Sequence, residues 1–295
     1  MKPVAMRLMI YGTILVLLLM GCSSLPSVAQ PTTATPIPTT GGSTPTPMPD
    51  GWVDVGGRTL RYSCTGQGSP TVILEAGGRD DSRAWSLVQS GGERSYRVCS
   101  YDRANLGRSD EAPKPRTYQD AARDLHTLLR NAQIGGPYIL VGHSEGGMIV
   151  RVFRDQYPAE VVGLVLVDAA HPDMGVRLVA GLPPAAKGEP EGIKAWRQYL
   201  TWSANSDGRE PGNQEGMDHP ASNEQVRAAK PLGDLPLVVI SRNPDNSEWA
   251  SLPALPAETN ATLRQIWQDL QRELAGLSSD STQVMANHAG HMIPT

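Results

Sequence analysis

Short runs of buried type, most of them uninterruptedly apolar, recur along this 295-residue chain and limit its fold more than any other feature. They lie at residues 71–74 (TVIL), 96–101 (YRVCSY), 138–141 (YILV), 164–167 (LVLV) and 237–240 (LVVI). Runs without polar alternation suit strands covered on both faces, because an alternating strand leaves one face to water. Helical patterns separate them. Thr117 stands three residues before Asp120 as a capping pair, and Ala121, Leu125, Leu128 and Leu129 then share one face. Strands alternating with helices predict an α/β fold, with a mostly parallel central sheet flanked by helices. Ahead of the first run, residues 52–55 and 59–64 flank Gly56-Gly57 and read as a hairpin.

The N-terminal fifty residues do not share this pattern. Lys2 and Arg7 precede an apolar stretch at 8–20, too short to span a bilayer comfortably and of the length of a signal-peptide core. The tetrad Leu19-Met20-Gly21-Cys22 resembles a bacterial lipobox, which implies a lipoprotein signal peptide at 1–21 and lipidation of Cys22. Residues 22–50 then form the lipidated Cys and a Pro/Thr/Ser-rich linker. Pro31, Pro36, Pro38, Pro45, Pro47 and Pro49 favour an extended arm that cannot bury a core. The expected product is an extracytoplasmic protein held at a membrane by its acyl chains. The net charge of −4 offers no basic stripe, which argues against a nucleic-acid partner. With one Phe and 5% aromatic residues, base-stacking or sugar-binding platforms are poorly supported.

The folded unit is expected over 51–295, and its chemistry centres on Val141-Gly142-His143-Ser144-Glu145-Gly146-Gly147. A strand enters a turn and the apolar run Met148-Ile149-Val150 leaves it. G-x-S-x-G is a weak signal alone; the strand–turn–helix context is what makes it specific. The turn strains the backbone at Ser144, and small residues two positions either side let strand and helix approach.

These residues resemble the α/β-hydrolase fold family, in its serine hydrolase branch, and the resemblance runs over about 52–295. Glu75-Ala76-Gly77-Gly78 takes the place of that fold's His-Gly oxyanion loop and departs from it at the first position. The resemblance implies backbone N–H donors at Gly78 and Glu145. The segment from Tyr101 to Asp110 resembles the family's D-R-x-G-x-G-x-S stretch, in which Arg103 would be structural. Ala289-Gly290-His291 follows the strand-like residues 282–286 and resembles the family's S-G-H segment, which makes His291 the expected base. The acid is open between Asp245, after the seventh strand and favoured, and Asp168, at the end of the sixth. The insertion at about 171–234 is expected to form a small helical cap, whose mixed polarity favours small or medium esters.

Cys64 and Cys99 would lie on strands that are neighbours in the family's strand order, which implies a disulfide in an exported protein. The chain stops at Thr295, where relatives continue into a helix, so that helix is expected to be missing. The implied activity is hydrolysis of a small-molecule carboxylic ester through an acyl-enzyme. No cofactor or metal is expected, His288 and His291 having no further ligands beside them. An amidase, peptidase or haloperoxidase-like activity, or a non-catalytic binding module, remains an alternative on the same residues.

Overall fold

A computed structural model describes residues 50–244 and 255–295; Cys22, the linker to position 49 and Asp245 lie outside the described residues. The strands are β1 (Gly51–Asp54), β2 (Thr59–Thr65), β3 (Thr71–Glu75), β4 (Val98–Tyr101), β5 (Tyr138–His143), β6 (Val161–Val167), β7 (Leu237–Arg242) and β8 (Ser281–Ala286). They form one eight-stranded sheet in the order β1-β2-β4-β3-β5-β6-β7-β8. The first two strands join antiparallel as the expected hairpin, and β2 pairs antiparallel with β4. From β4 to β8 every pairing is parallel. At the hairpin turn Gly56 and Gly57 have φ of 110° and 85°, values that a side chain would disfavour.

Successive residues of each apolar run face opposite sides of the sheet. Ile73, Leu140, Leu164 and Val239 face α2 (Tyr118–Asn131) and α3 (Gly146–Gln156) in the larger core. Val72, Leu74, Ile139, Val141, Val165 and Val238 pack in a second core with Trp85. Each such side chain, fully removed from water, contributes roughly 1.5–3 kcal/mol. This is why the runs carry no polar alternation. The Thr117–Asp120 pair forms a complete capping box at the start of α2. The single Phe of the chain, Phe153 on α3, is wholly buried and packs edge-on to Tyr138.

Between β6 and β7 the cap insertion folds as α4 (Met174–Ala180), α5 (Glu191–Asn205) and α6 (His219–Ala228). It has an apolar cluster of its own, Leu178, Leu182, Ile193, Trp196 and Leu200, closed by Leu263 of α7 (Ala257–Ala275). Helix α7 and the short α1 (Ser86–Gly92) had no clear counterpart in the sequence pattern. Cys64 and Cys99 face each other across β2 and β4 and are joined by a disulfide. No helix follows β8 among the described residues, and Met285 and Met292 are exposed beside it.

Candidate active site

The turn from β5 into α3 is tight enough to exclude side chains. A Cβ on Gly142 would lie 2.6 Å from the Gly146 carbonyl oxygen and 2.7 Å from Gly147 Cα. One on Gly146 would lie 2.5 Å from the backbone oxygens of both Glu75 and Ala76. Ser144 takes a left-handed backbone, φ 51°, which a non-glycine residue adopts only when its surroundings hold it there. The holding bonds come from the end of β6 and the loop beyond it: Ser144 N–H donates to Val167 O at 3.1 Å, and Ser144 O accepts from Ala170 N–H at 2.9 Å.

His291, just beyond β8, faces this turn. Its Nε2 is 3.1 Å from Ser144 Oγ, and its Nδ1 is 2.5 Å from Oδ2 of Asp168. Asp168 directly follows β6, with a left-handed φ of 42° and a fully buried carboxylate. Asp168, one of the two candidate acids, thus meets His291, whereas Asp245 lies outside the described residues. Arg242, at the end of β7, binds the same carboxylate, its Nη1 3.3 Å from His291 Nδ1. Its backbone N–H donates to Oδ1 at 3.2 Å and its Nη1 to Oδ2 at 2.6 Å. The guanidinium stands over the Trp267 ring, 4.4 Å from the centroid.

His143 braces the same loop. Its Nε2 lies 2.8 Å from the His291 carbonyl oxygen, a contact that requires the Nε2–H tautomer. Burial, with the neighbouring His291 adding to it, lowers the pKa of His143 to about 4, so the ring is neutral at ordinary pH.

The loop after β3 is held by an ionic network. Arg103 donates from Nη1 to Glu75 Oε1 and to Ala76 O, and from Nη2 to Gly77 O, each at 2.6 Å. It also donates from Nε and Nη2 to the two carboxylate oxygens of Glu215, at 2.9 and 3.0 Å. Glu215 belongs to the cap insertion and accepts from Arg79 N–H at 2.6 Å as well. Burial raises the Glu75 pKa, although Arg103 and the Tyr101 hydroxyl oppose it. Arg103 thus has the structural role its segment implied. In a trans peptide C=O and N–H point in opposite directions, so the Gly77 carbonyl bonded to Arg103 turns the Gly78 N–H away from it. Gly77 itself has no room for a side chain: its Cβ would meet His143 Nδ1 at 2.9 Å and Ser144 Cβ at 3.3 Å.

Neither the Gly78 nor the Glu145 N–H has a backbone acceptor among the described residues. The Glu145 side chain folds over Gly78 and accepts from Tyr118 Oη at 3.0 Å. On the cap side it meets His219 Nε2 at 3.3 Å. Asp80 also reaches this region, its Oδ2 3.3 Å from the Cβ position of Gly77, and burial raises its pKa. Among the described residues no group of three or more His, Cys, Asp or Glu could hold a metal ion. Arg242, Glu215, His219 and the His143 contact were invisible in the linear pattern. Their partners lie far away in sequence, and no motif joins them.

A mostly parallel sheet with a strained serine at the β5–α3 turn and a histidine beyond β8 defines the class: a hydrolase fold with a nucleophile elbow. Residues 72–295 match the family model described as the alpha/beta hydrolase family. YqjL of Bacillus subtilis strain 168, an uncharacterized protein, is 24% identical over 228 residues, 77% of this chain and 79% of its own length. A 139-residue stretch, 43% of this chain, is 35% identical to efuK of Hormonema carpetanum, named a probable transporter, of which it spans only 20%. Among solved structures, an esterase from Thermogutta terrifontis superposes with a TM-score of 0.52 at 20% identity, over 83% of this chain and 92% of that one. A bromoperoxidase from Bacillus anthracis does so with a TM-score of 0.53 at 18% identity, over 83% and 94%. Both share the fold. The chain belongs to the alpha/beta hydrolase family.

Proposed function

We propose that this hydrolase is a serine esterase acting on small or medium carboxylic esters through an acyl-enzyme. One observation carries the reading: His291 stands between Ser144 Oγ, at 3.1 Å, and the buried Asp168 carboxylate, at 2.5 Å. A serine hydroxyl is a poor nucleophile until a base removes its proton, and 3.1 Å is within reach for that transfer. Ser144 Oγ bonds to the ester carbonyl carbon as its proton passes to His291 Nε2. Asp168 accepts the Nδ1–H bond and stabilises the imidazolium that forms. The carbonyl oxygen becomes an oxyanion, received by the N–H groups of Gly78 and Glu145. Collapse breaks the bond to the alkoxide, which leaves with the proton from Nε2. Water, deprotonated by His291, then attacks the acyl carbon. The bond to Ser144 Oγ breaks, and the proton on Nε2 returns to that oxygen.

The Leu19–Cys22 tetrad supports placing this enzyme outside the cytoplasm on a lipid anchor, and the Cys64–Cys99 bond is what an oxidising compartment allows. Incorporation of labelled palmitate, lost in Cys22→Ser, is the expected outcome there. The catalytic reading is tested with a fluorophosphonate probe on the full chain. Ser144 should be labelled, and Ser144→Ala, folded by circular dichroism, should not. A folded wild-type protein that resists the probe would refute it.

A further inference from the structure

Glu145 places a carboxylate where the proposed reaction can least tolerate one. A Cβ on Gly78 would collide with its Oε2, so the carboxylate rests directly on the loop that contributes an oxyanion donor. The Gly77 side of the same loop faces Ser144 Cβ. An uncompensated negative charge at this point repels the negative charge that develops on the substrate oxygen, and the repulsion is strong in a site shielded from water.

The compensating group comes from the cap. His219, at the first position of α6, is separated from Glu145 by 3.3 Å, and both side chains are largely buried. Around His219 stand Glu145 on the elbow, the Ser203 carbonyl and the Trp202 ring on α5, and Glu215 in the cap loop. Around Glu145 stand His219, Arg103, Tyr118 of α2 and Gly78. Burial disfavours charge on His219, but the Glu145 carboxylate outweighs it and the pKa is raised. Burial likewise works against the Glu145 carboxylate, but His219, with Arg103 and the Tyr118 hydroxyl, outweighs it and the pKa is lowered. Both shifts favour the imidazolium–carboxylate form of this 3.3 Å pair.

We propose that His219 is a positioning residue for hydrolysis at Ser144: carried in by the cap, it neutralises Glu145 so that an oxyanion can form beside Gly78. It touches no reacting atom. The inference rests on the esterase reading above, and it makes turnover conditional on the cap being seated on the elbow.

The test uses the full chain and p-nitrophenyl acetate. His219→Gln should lower kcat at least tenfold while KM stays within threefold. Adding Glu145→Gln to it removes the stranded charge and should raise kcat at least fivefold above the single variant. A purely structural latch predicts the reverse, with the double variant no better than the single. An unchanged kcat in His219→Gln, or a double variant without recovery, overturns the proposal. Should His219→Gln fail to fold, the wild-type protein decides by the NMR titration of the His219 ring. Its midpoint should move to higher pH when phenylboronic acid forms an anionic adduct on Ser144; an unmoved midpoint overturns the proposal. Fluorophosphonate labelling separates the two levels. An unreactive Ser144 overturns the esterase reading together with this one, whereas a labelled Ser144 with unchanged kcat in His219→Gln overturns this one alone.

Discussion

Arg103→Lys should damage both stability and turnover, although it keeps the charge. The arginine fork serves Glu75, Ala76 O, Gly77 O and both oxygens of Glu215 at 2.6–3.0 Å. A lysine nitrogen has three donors on one point and cannot reach acceptors spread around a planar guanidinium. At least two buried acceptors are therefore abandoned. Hydrogen bonds to charged groups are worth about 1.5–3 kcal/mol each, so the expected loss is about 3–6 kcal/mol. Against a total stability of roughly 5–15 kcal/mol, this is a large fraction. Urea unfolding followed by circular dichroism reads it as a lower midpoint at an unchanged slope. Because Ala76 O and Gly77 O are among the lost acceptors, the Gly78 N–H is no longer aimed, and kcat on p-nitrophenyl acetate should fall by about 10²-fold under conditions where the variant is folded. A destabilisation below about 1 kcal/mol with kcat within threefold would refute the idea that this network holds the loop.

Asp168→Asn should lower kcat by roughly 10²–10⁴-fold with little effect on KM, because the amide cannot orient and stabilise the imidazolium. Retained turnover there, with loss in Asp245→Asn, would transfer the role to Asp245. Reducing the Cys64–Cys99 bond, whose partners are 35 residues apart, should destabilise the domain by about 4 kcal/mol, read from urea midpoints with and without reductant. His143 makes the fold acid-sensitive. Its pKa falls from 6.5 to about 4 on folding, so as pH drops below 6.5 the unfolded chain takes up the proton first. Stability should decline by about 1.4 kcal/mol per pH unit until pH reaches about 4, and His143→Gln should flatten that part of the profile.

Much of the architecture was legible because its causes are local. A strand covered on both faces has to be a continuous apolar run, and residues 71–74, 138–141, 164–167 and 237–240 all became buried strands. The Thr117 capping box needs only residues three apart. The glycine at 142 needs only its neighbours, because the clash that excludes a side chain there comes from Gly146 and Gly147. Helix α7 was harder to read: its apolar side packs partly on the sheet and partly on the cap, so its pattern answers to two surfaces.

The partnerships at the site obey a different logic. His291 meets Ser144 across 147 residues and Asp168 across 123, and Arg103 meets Glu215 across 112. At such separations nothing in the backbone chemistry of one segment constrains the other. Parallel β6, β7 and β8 decide that Asp168, Arg242 and His291 arrive at one end of the sheet. The packing of the cap decides that Glu215 and His219 reach the buried charges of Arg103 and Glu145. Local chemistry along the chain settles which segments become strands, where a helix is capped and where only glycine fits. Which carboxylate serves His291, and which cap residues offset the charges around it, emerges only when the layers pack, because a buried charge is satisfied by whatever the fold brings near it.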